Sequence, residues 1–211
     1  MTTLLDLLGD ADRRQRITGV VTAVVTNVED PEKLHRVKVK FPWLSDDEES
    51  EWARVATPMA GKERGLYLLP EVDDEVLVAF EHGDPRFPYV VGSLWNKNAT
   101  PPSEWTQTND KRSLTSRSGH VIRLDDKEGE EKIEIVDKST KNSIVFSTAD
   151  NTITIKADAD ITIQSSGGKL VLEGSGVEIK SQAEVKVEAS GDMSLEASGQ
   201  LTAKGSVINL N

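Results

Sequence analysis

The 211-residue chain contains no cysteine, so it can build neither a disulfide framework nor a thiolate metal site. Aromatic residues make up only 5 % of it and are concentrated, like leucine, before about residue 105. That shift divides the chain into two physically different modules. No apolar run is long enough to span a bilayer, and the N-terminus lacks the pattern of a secretory signal; both predict a soluble chain made in the cytoplasm. The three histidines, His35, His82 and His120, stand far apart, with no spacing that suits a metal or an activated nucleophile. No carboxylate pair, phosphate-binding glycine loop or Ser/His/Asp set is present, so neither an enzyme nor a cofactor site is expected. The run Asp46-Asp47-Glu48-Glu49 reads as a solvated loop, and Glu81-His82-Gly83-Asp84 reads as a turn. A formal net charge of −11 repels phosphate backbones and anionic lipid, which argues against nucleic acid as a partner.

What the chain does have is a repeat. From about residue 151 to the C-terminus, apolar pairs recur on a spacing of eight: Ile153/Ile155, Ile161/Ile163, Leu170/Leu172, Val177/Ile179, Val185/Val187, Met193/Leu195 and Leu201/Ala203. Members of a pair are two residues apart and share one face of a strand, while the residue between them faces the other way. Small polar linkers such as Ala189-Ser190-Gly191-Asp192 separate the pairs, as a chain that bends after every strand requires. The period runs long across Gly167-Gly168 and short across Gly174-Ser175-Gly176, so phase is recovered.

Such strands bury too little to make a core alone, and eight residues cover about one side of a coil. Three identical chains wound about one axis close the structure, each supplying one side per layer. With strands stacked at about 4.8 Å, eight or nine octads make a shaft of about 40 Å. An ordinary antiparallel sheet of short strands is the alternative closure. The expected trimer core is Ile153, Ile155, Ile161, Ile163, Leu170, Leu172, Val177, Ile179, Val185, Val187, Met193, Leu195 and Leu201. At the end of the chain Val207, Ile208, Asn209, Leu210 and Asn211 leave uncovered strand edges, a candidate interface for a capping tip protein.

Before the repeat the pattern is also β. Strands are predicted over 17–28, 36–41, 52–56, 65–69, 75–80 and 88–95, with turns at Glu29-Asp30-Pro31-Glu32 and Gly83-Asp84-Pro85-Arg86. That many short strands with no helix between them predict a small barrel of the OB kind. The expected organisation is an N-terminal segment (1–16), an OB-fold domain (17–96), a linker (97–117), a transition into the shaft (118–150) and the octad-repeat β-helix (151–211). The fold class is therefore all-β, an OB-fold barrel followed by an intertwined triple-stranded β-helix in a homotrimer. Leu4, Leu5, Leu7 and Leu8 form either a short helix seeking a partner or a terminus packed back on the barrel.

The runs Arg36-Val37-Lys38-Val39-Lys40-Phe41-Pro42-Trp43-Leu44, Trp52-Ala53-Arg54-Val55-Ala56-Thr57-Pro58-Met59-Ala60-Gly61 and Leu69-Pro70-Glu71-Val72-Asp73-Asp74-Glu75-Val76-Leu77-Val78-Ala79-Phe80, followed by Gly92-Ser93-Leu94-Trp95-Asn96, resemble the OB domain of the VgrG / phage baseplate assembly protein V family. The stretch Ser118-Gly119-His120-Val121-Ile122-Arg123-Leu124-Asp125-Asp126 resembles that family's entry into its trimeric β-helix. The resemblance implies the central spike of a contractile injection machine: a phage tail, a type VI secretion system or an extracellular particle. It also implies partners: a separate hub, met through the OB end and through Leu4, Leu5, Leu7 and Leu8; a PAAR-type tip protein; and effector cargo. The barrel starts within twenty residues of Met1 and only the linker parts it from the repeat, so the hub is expected to be a separate protein with no lysozyme domain between barrel and helix; no His-x-His pair that would bind iron follows His120, so the apex is expected to be metal-free. The rival reading is an OB-fold protein that binds oligosaccharide or nucleic acid through Trp43, Trp52, Tyr67 and Trp95, with the repeat as a trimerisation stalk.

Overall fold

The computed structural model describes residues 16–44 and 49–209. Leu4, Leu5, Leu7, Leu8, Asp46, Asp47, Glu48, Leu210 and Asn211 lie outside the described residues. The chain divides into two compact units, Met1–Asp158 and Ala159–Asn211. It is all-β, and among the described residues the only helical element is a 3-10 turn at Glu81–Gly83.

The first sheet is ordered β2-β1-β6-β7-β3, from β1 (Val20–Asn27), β2 (Lys38–Lys40), β3 (Arg54–Val55), β6 (Glu75–Phe80) and β7 (Pro88–Leu94). All neighbours are antiparallel except β3 and β7. β1 is rich in β-branched residues, and β6 alternates so regularly that Val76, Val78 and Phe80 are buried while the residues between them are half-exposed. Register shifts in β1 and between β6 and β7 bend the sheet. Its two edges meet where Val37, beside β2, exchanges hydrogen bonds of 3.0 and 2.8 Å with Ala53, beside β3. The curl, consistent with an OB domain, encloses a core of Ala23, Val25, Val37, Val39, Phe41, Ala53, Val76, Val78, Phe80 and Val90.

One turn is anchored from inside. Asp30 is buried, and its carboxylate accepts the backbone N–H groups of Glu32, Leu34 and Arg36 and two N–H bonds from the Arg36 guanidinium, at 2.7 and 3.0 Å. The Arg36 bonds, with those backbone donors, hold its pKa far below the usual carboxylate range. The clamp sustains a loop in which Lys33 and His35 both stand at φ 57°, a costly region for residues with a side chain.

The expected strand over 65–69 is not formed. The chain instead makes a two-residue ladder between β4 (Ala60–Gly61) and β5 (Arg64–Gly65). Gly65 is required there, because a Cβ would lie 2.6 Å from the Met59 carbonyl oxygen.

The second sheet is an antiparallel meander of five-residue strands: β8 (Lys111–Thr115), β9 (Val121–Asp125), β10 (Lys132–Val136), β11 (Ser143–Ser147) and β12 (Thr152–Lys156). β8 falls inside the expected linker, and the first octad pair, Ile153/Ile155, sits on β12. In Ala159–Asn211 no strand and no hydrogen bond between main-chain groups is formed among the described residues, and their side chains are exposed.

Candidate oligomer interface

The registers of the meander determine which side chains share a face. One row reads Leu114, Ile122, Ile135, Ile144, Ile155; the row beside it reads Arg112, Leu124, Ile133, Phe146, Ile153. Nine of these ten positions are large and apolar. The opposite face carries Ser113, Thr115, Arg123, Glu134, Lys132, Ser143, Ser147 and Thr154, with Val121, Val136 and Val145 among them.

Burial is inverted relative to chemistry. On β9 and β10 the residues of the polar face are half-buried, whereas Ile122, Leu124, Ile133 and Ile135 between them are exposed. Glu134 is held among its neighbours by Arg123 at 3.2 Å and Lys132 at 3.1 Å, its side chain only 13 % exposed. The apolar rows are left largely uncovered among the described residues: Ile133 and Ile135 are each 45 % exposed, and Ile153 is 66 % exposed. Monomeric proteins rarely leave so large a contiguous apolar patch in water.

Of the residues expected from the repeat, Ile153 and Ile155 thus join a larger face. Ile161, Ile163, Leu170, Leu172, Val177, Ile179, Val185, Val187, Met193, Leu195 and Leu201 lie in the second unit, all more than half exposed. Glu178 pairs with Lys180 at 2.7 Å and Lys186 with Glu188 at 2.6 Å, each two residues apart, as on one side of an extended chain. They alternate with Val177, Ile179, Val185 and Val187. Val207, Ile208 and Asn209 are exposed.

The octad reading missed Leu114, Ile122, Leu124, Ile133, Ile135, Ile144 and Phe146. A different period marks most of them: the pairs Ile122/Leu124, Ile133/Ile135 and Ile144/Phe146 recur every eleven residues, a five-residue strand plus its turn.

Residues 21–95, the curled first sheet, match the type VI secretion system/phage-baseplate injector OB domain. This chain carries the OB domain of the VgrG / phage baseplate assembly protein V family. Type VI secretion system spike protein VgrG1a of Pseudomonas aeruginosa is 31 % identical over 153 residues, covering 65 % of this chain and 24 % of that protein. VgrG5 of the same organism is 38 % identical over 136 residues, covering 57 % and 17 %. The actin cross-linking toxin VgrG1 of Vibrio cholerae is 28 % identical over 133 residues, covering 57 % and 12 %. The chain therefore spans about a quarter or less of the length of these VgrG relatives. The alignment to VgrG1a is longer than the OB domain, so the likeness extends past the first sheet.

Among the described residues no group of His, Asp or Glu side chains is arranged to hold a metal ion, and no helix is long and apolar enough to cross a membrane.

Proposed function

We propose that this protein is the homotrimeric central spike of a contractile injection machine. Its OB end docks on a hub or baseplate protein, and its repeat end carries a PAAR-type tip, with any effector cargo riding on the assembly. Made in the cytoplasm, it becomes part of the particle and meets a target membrane only when the machine fires.

The observation that carries this reading is the inverted burial of the second sheet. Three copies about a threefold axis turn three such faces inward, and the octad pairs continue that interior towards the C-terminus. Each segment of the second unit then finds in a neighbouring chain the backbone partners it lacks among the described residues of its own. Opening any layer breaks ladder hydrogen bonds in all three chains together, at a net of about 0.5–1.5 kcal/mol each, in addition to re-exposing the apolar interior. The work is mechanical: a dry, cross-paired shaft resists bending and unravelling.

The test is the solution mass by light scattering, with an unboiled denaturing gel beside it. A mass near three times 23.1 kDa, and a band that collapses only on boiling, is the expected result. A monomer would remove the spike reading and promote the ligand-binding OB fold in its place. With the trimer established, deletion of residues 207–211 is expected to abolish tip binding and spare the trimer.

A further inference from the structure

Residues 66–69, Leu-Tyr-Leu-Leu, are an apolar run that leaves the β4–β5 ladder and has no strand partner beyond it among the described residues. Past Gly65, Leu66 N–H donates to the Met59 carbonyl at 2.9 Å, and its own carbonyl accepts the Thr57 hydroxyl at 2.6 Å. Beyond it, the main-chain groups of Tyr67, Leu68 and Leu69 have no hydrogen-bond partner among the described residues. Leu66, Tyr67 and Leu68 are exposed beside a groove of about 760 Å³, together with Leu34 and Met59.

The groove is preformed. Leu34 and His35 sit on the loop that Asp30 clamps, and the Tyr67 hydroxyl meets His35 Nδ1 at 3.1 Å with the rings edge to face. Gly65 and the Met59 carbonyl fix the floor. Arg64 lines the groove and Lys62 stands on the β4–β5 turn beside it, neither with an ion-pair partner among the described residues, while Arg54, also lining the groove, stacks on Tyr89 and lies 4.0 Å from Glu81. Glu63 is the one carboxylate lining the groove.

We infer that residues 66–69 are an acceptor edge for an extended segment of a partner protein, apolar at alternate positions and bearing carboxylates between them. The segment adds as a strand: its main chain pairs with alternate groups of Tyr67, Leu68 and Leu69, its apolar side chains enter the groove, and its carboxylates meet Lys62 and Arg64. Pro70, which has no N–H, ends the edge. Naming that partner as a baseplate component rests on the spike reading; the edge itself does not.

The experiment is amide hydrogen exchange on the full chain, alone and with a short acetylated peptide alternating Leu and Glu, against its Leu/Lys counterpart. The expected result is about tenfold slower exchange across 67–69 with the acidic peptide only, abolished by the double variant Lys62→Glu/Arg64→Glu while the mass stays unchanged. No protection, or equal protection by both peptides, overturns the proposal. So does an edge already protected in the protein alone and released on dilution, because a sister copy is then the occupant. A monomer whose edge still takes the acidic peptide supports the acceptor edge and removes the spike reading; a trimer with an unresponsive edge does the reverse.

Discussion

β6 and β12 obey the same rule and end differently. On β6 every second residue disappears into the curl of the first sheet, and Val76 and Val78 are fully buried. On β12 the same alternation brings Ile153 and Ile155 to one face and leaves both more than half exposed. The difference lies in what faces them. The first sheet bends until its edges meet at Val37 and Ala53, so its inner side covers itself. Among the described residues no second layer faces the apolar rows of the meander, and the apolar pairs of the repeat are exposed. A period of two assigns residues to a face; it says nothing about which molecule covers that face.

The comparison breaks most completely at Val187. Val187→Asp places three carboxylates side by side on the proposed axis, and light scattering is expected to show complete loss of the trimer. The unfolding transition of the OB unit should not move. An intact, heat-resistant trimer from this variant would mean that the repeat does not use its apolar face as the first sheet uses its own.

Val78→Ala inverts the test. Removing two methyl groups from the fully buried core should cost the OB unit about 2–3 kcal/mol in denaturant unfolding followed by tryptophan fluorescence, with the oligomer mass unchanged. A change of mass instead would show that the two regions are not energetically separable.

A smaller effect, with a defined pH dependence, is expected at Asp30. Its folded pKa is depressed, chiefly by Arg36, so its contribution is fully present above the unfolded value of about 4 and is lost as pH falls towards the folded one. Asp30→Asn should therefore lower the OB transition at pH 7, and the gap from the unaltered protein should narrow progressively below about pH 4. A gap that is constant with pH would show that the loop is held by shape rather than by the carboxylate.

The smallest effect belongs to the exposed pairs of the second unit. Lys186→Ala removes a pair whose side chains are both about two-thirds exposed or more, and it should change stability by less than about 0.5 kcal/mol with the trimer intact. A larger loss would mean that the polar face of the repeat is also covered.

Most strands of the first sheet were legible because they are short runs containing β-branched residues between turn residues, with strict alternation over Arg36-Val37-Lys38-Val39-Lys40-Phe41. The stretch Gly65-Leu66-Tyr67-Leu68-Leu69 is apolar but holds no β-branched residue, and past Gly65, which pairs with Ala60, it has no ladder partner among the described residues. β8 was hidden for the opposite reason: Lys111-Arg112-Ser113-Leu114-Thr115 has a single apolar residue, and its extended form comes from pairing with β9. At Asp30 the sequence signalled a turn, but the buried ion pair joins residues six apart that nothing local associates.

Alternation by itself determined that the chain is all-β and predicted which residues of each repeat share a side, because side-chain direction in a strand follows from backbone geometry. Only the tertiary structure decided that the meander's apolar rows meet in one uncovered face, that Asp30 is an interior anchor, and that the edge at 66–69 stands open. Those features depend on register and on sheet curvature, which arise from contacts between residues far apart in the chain.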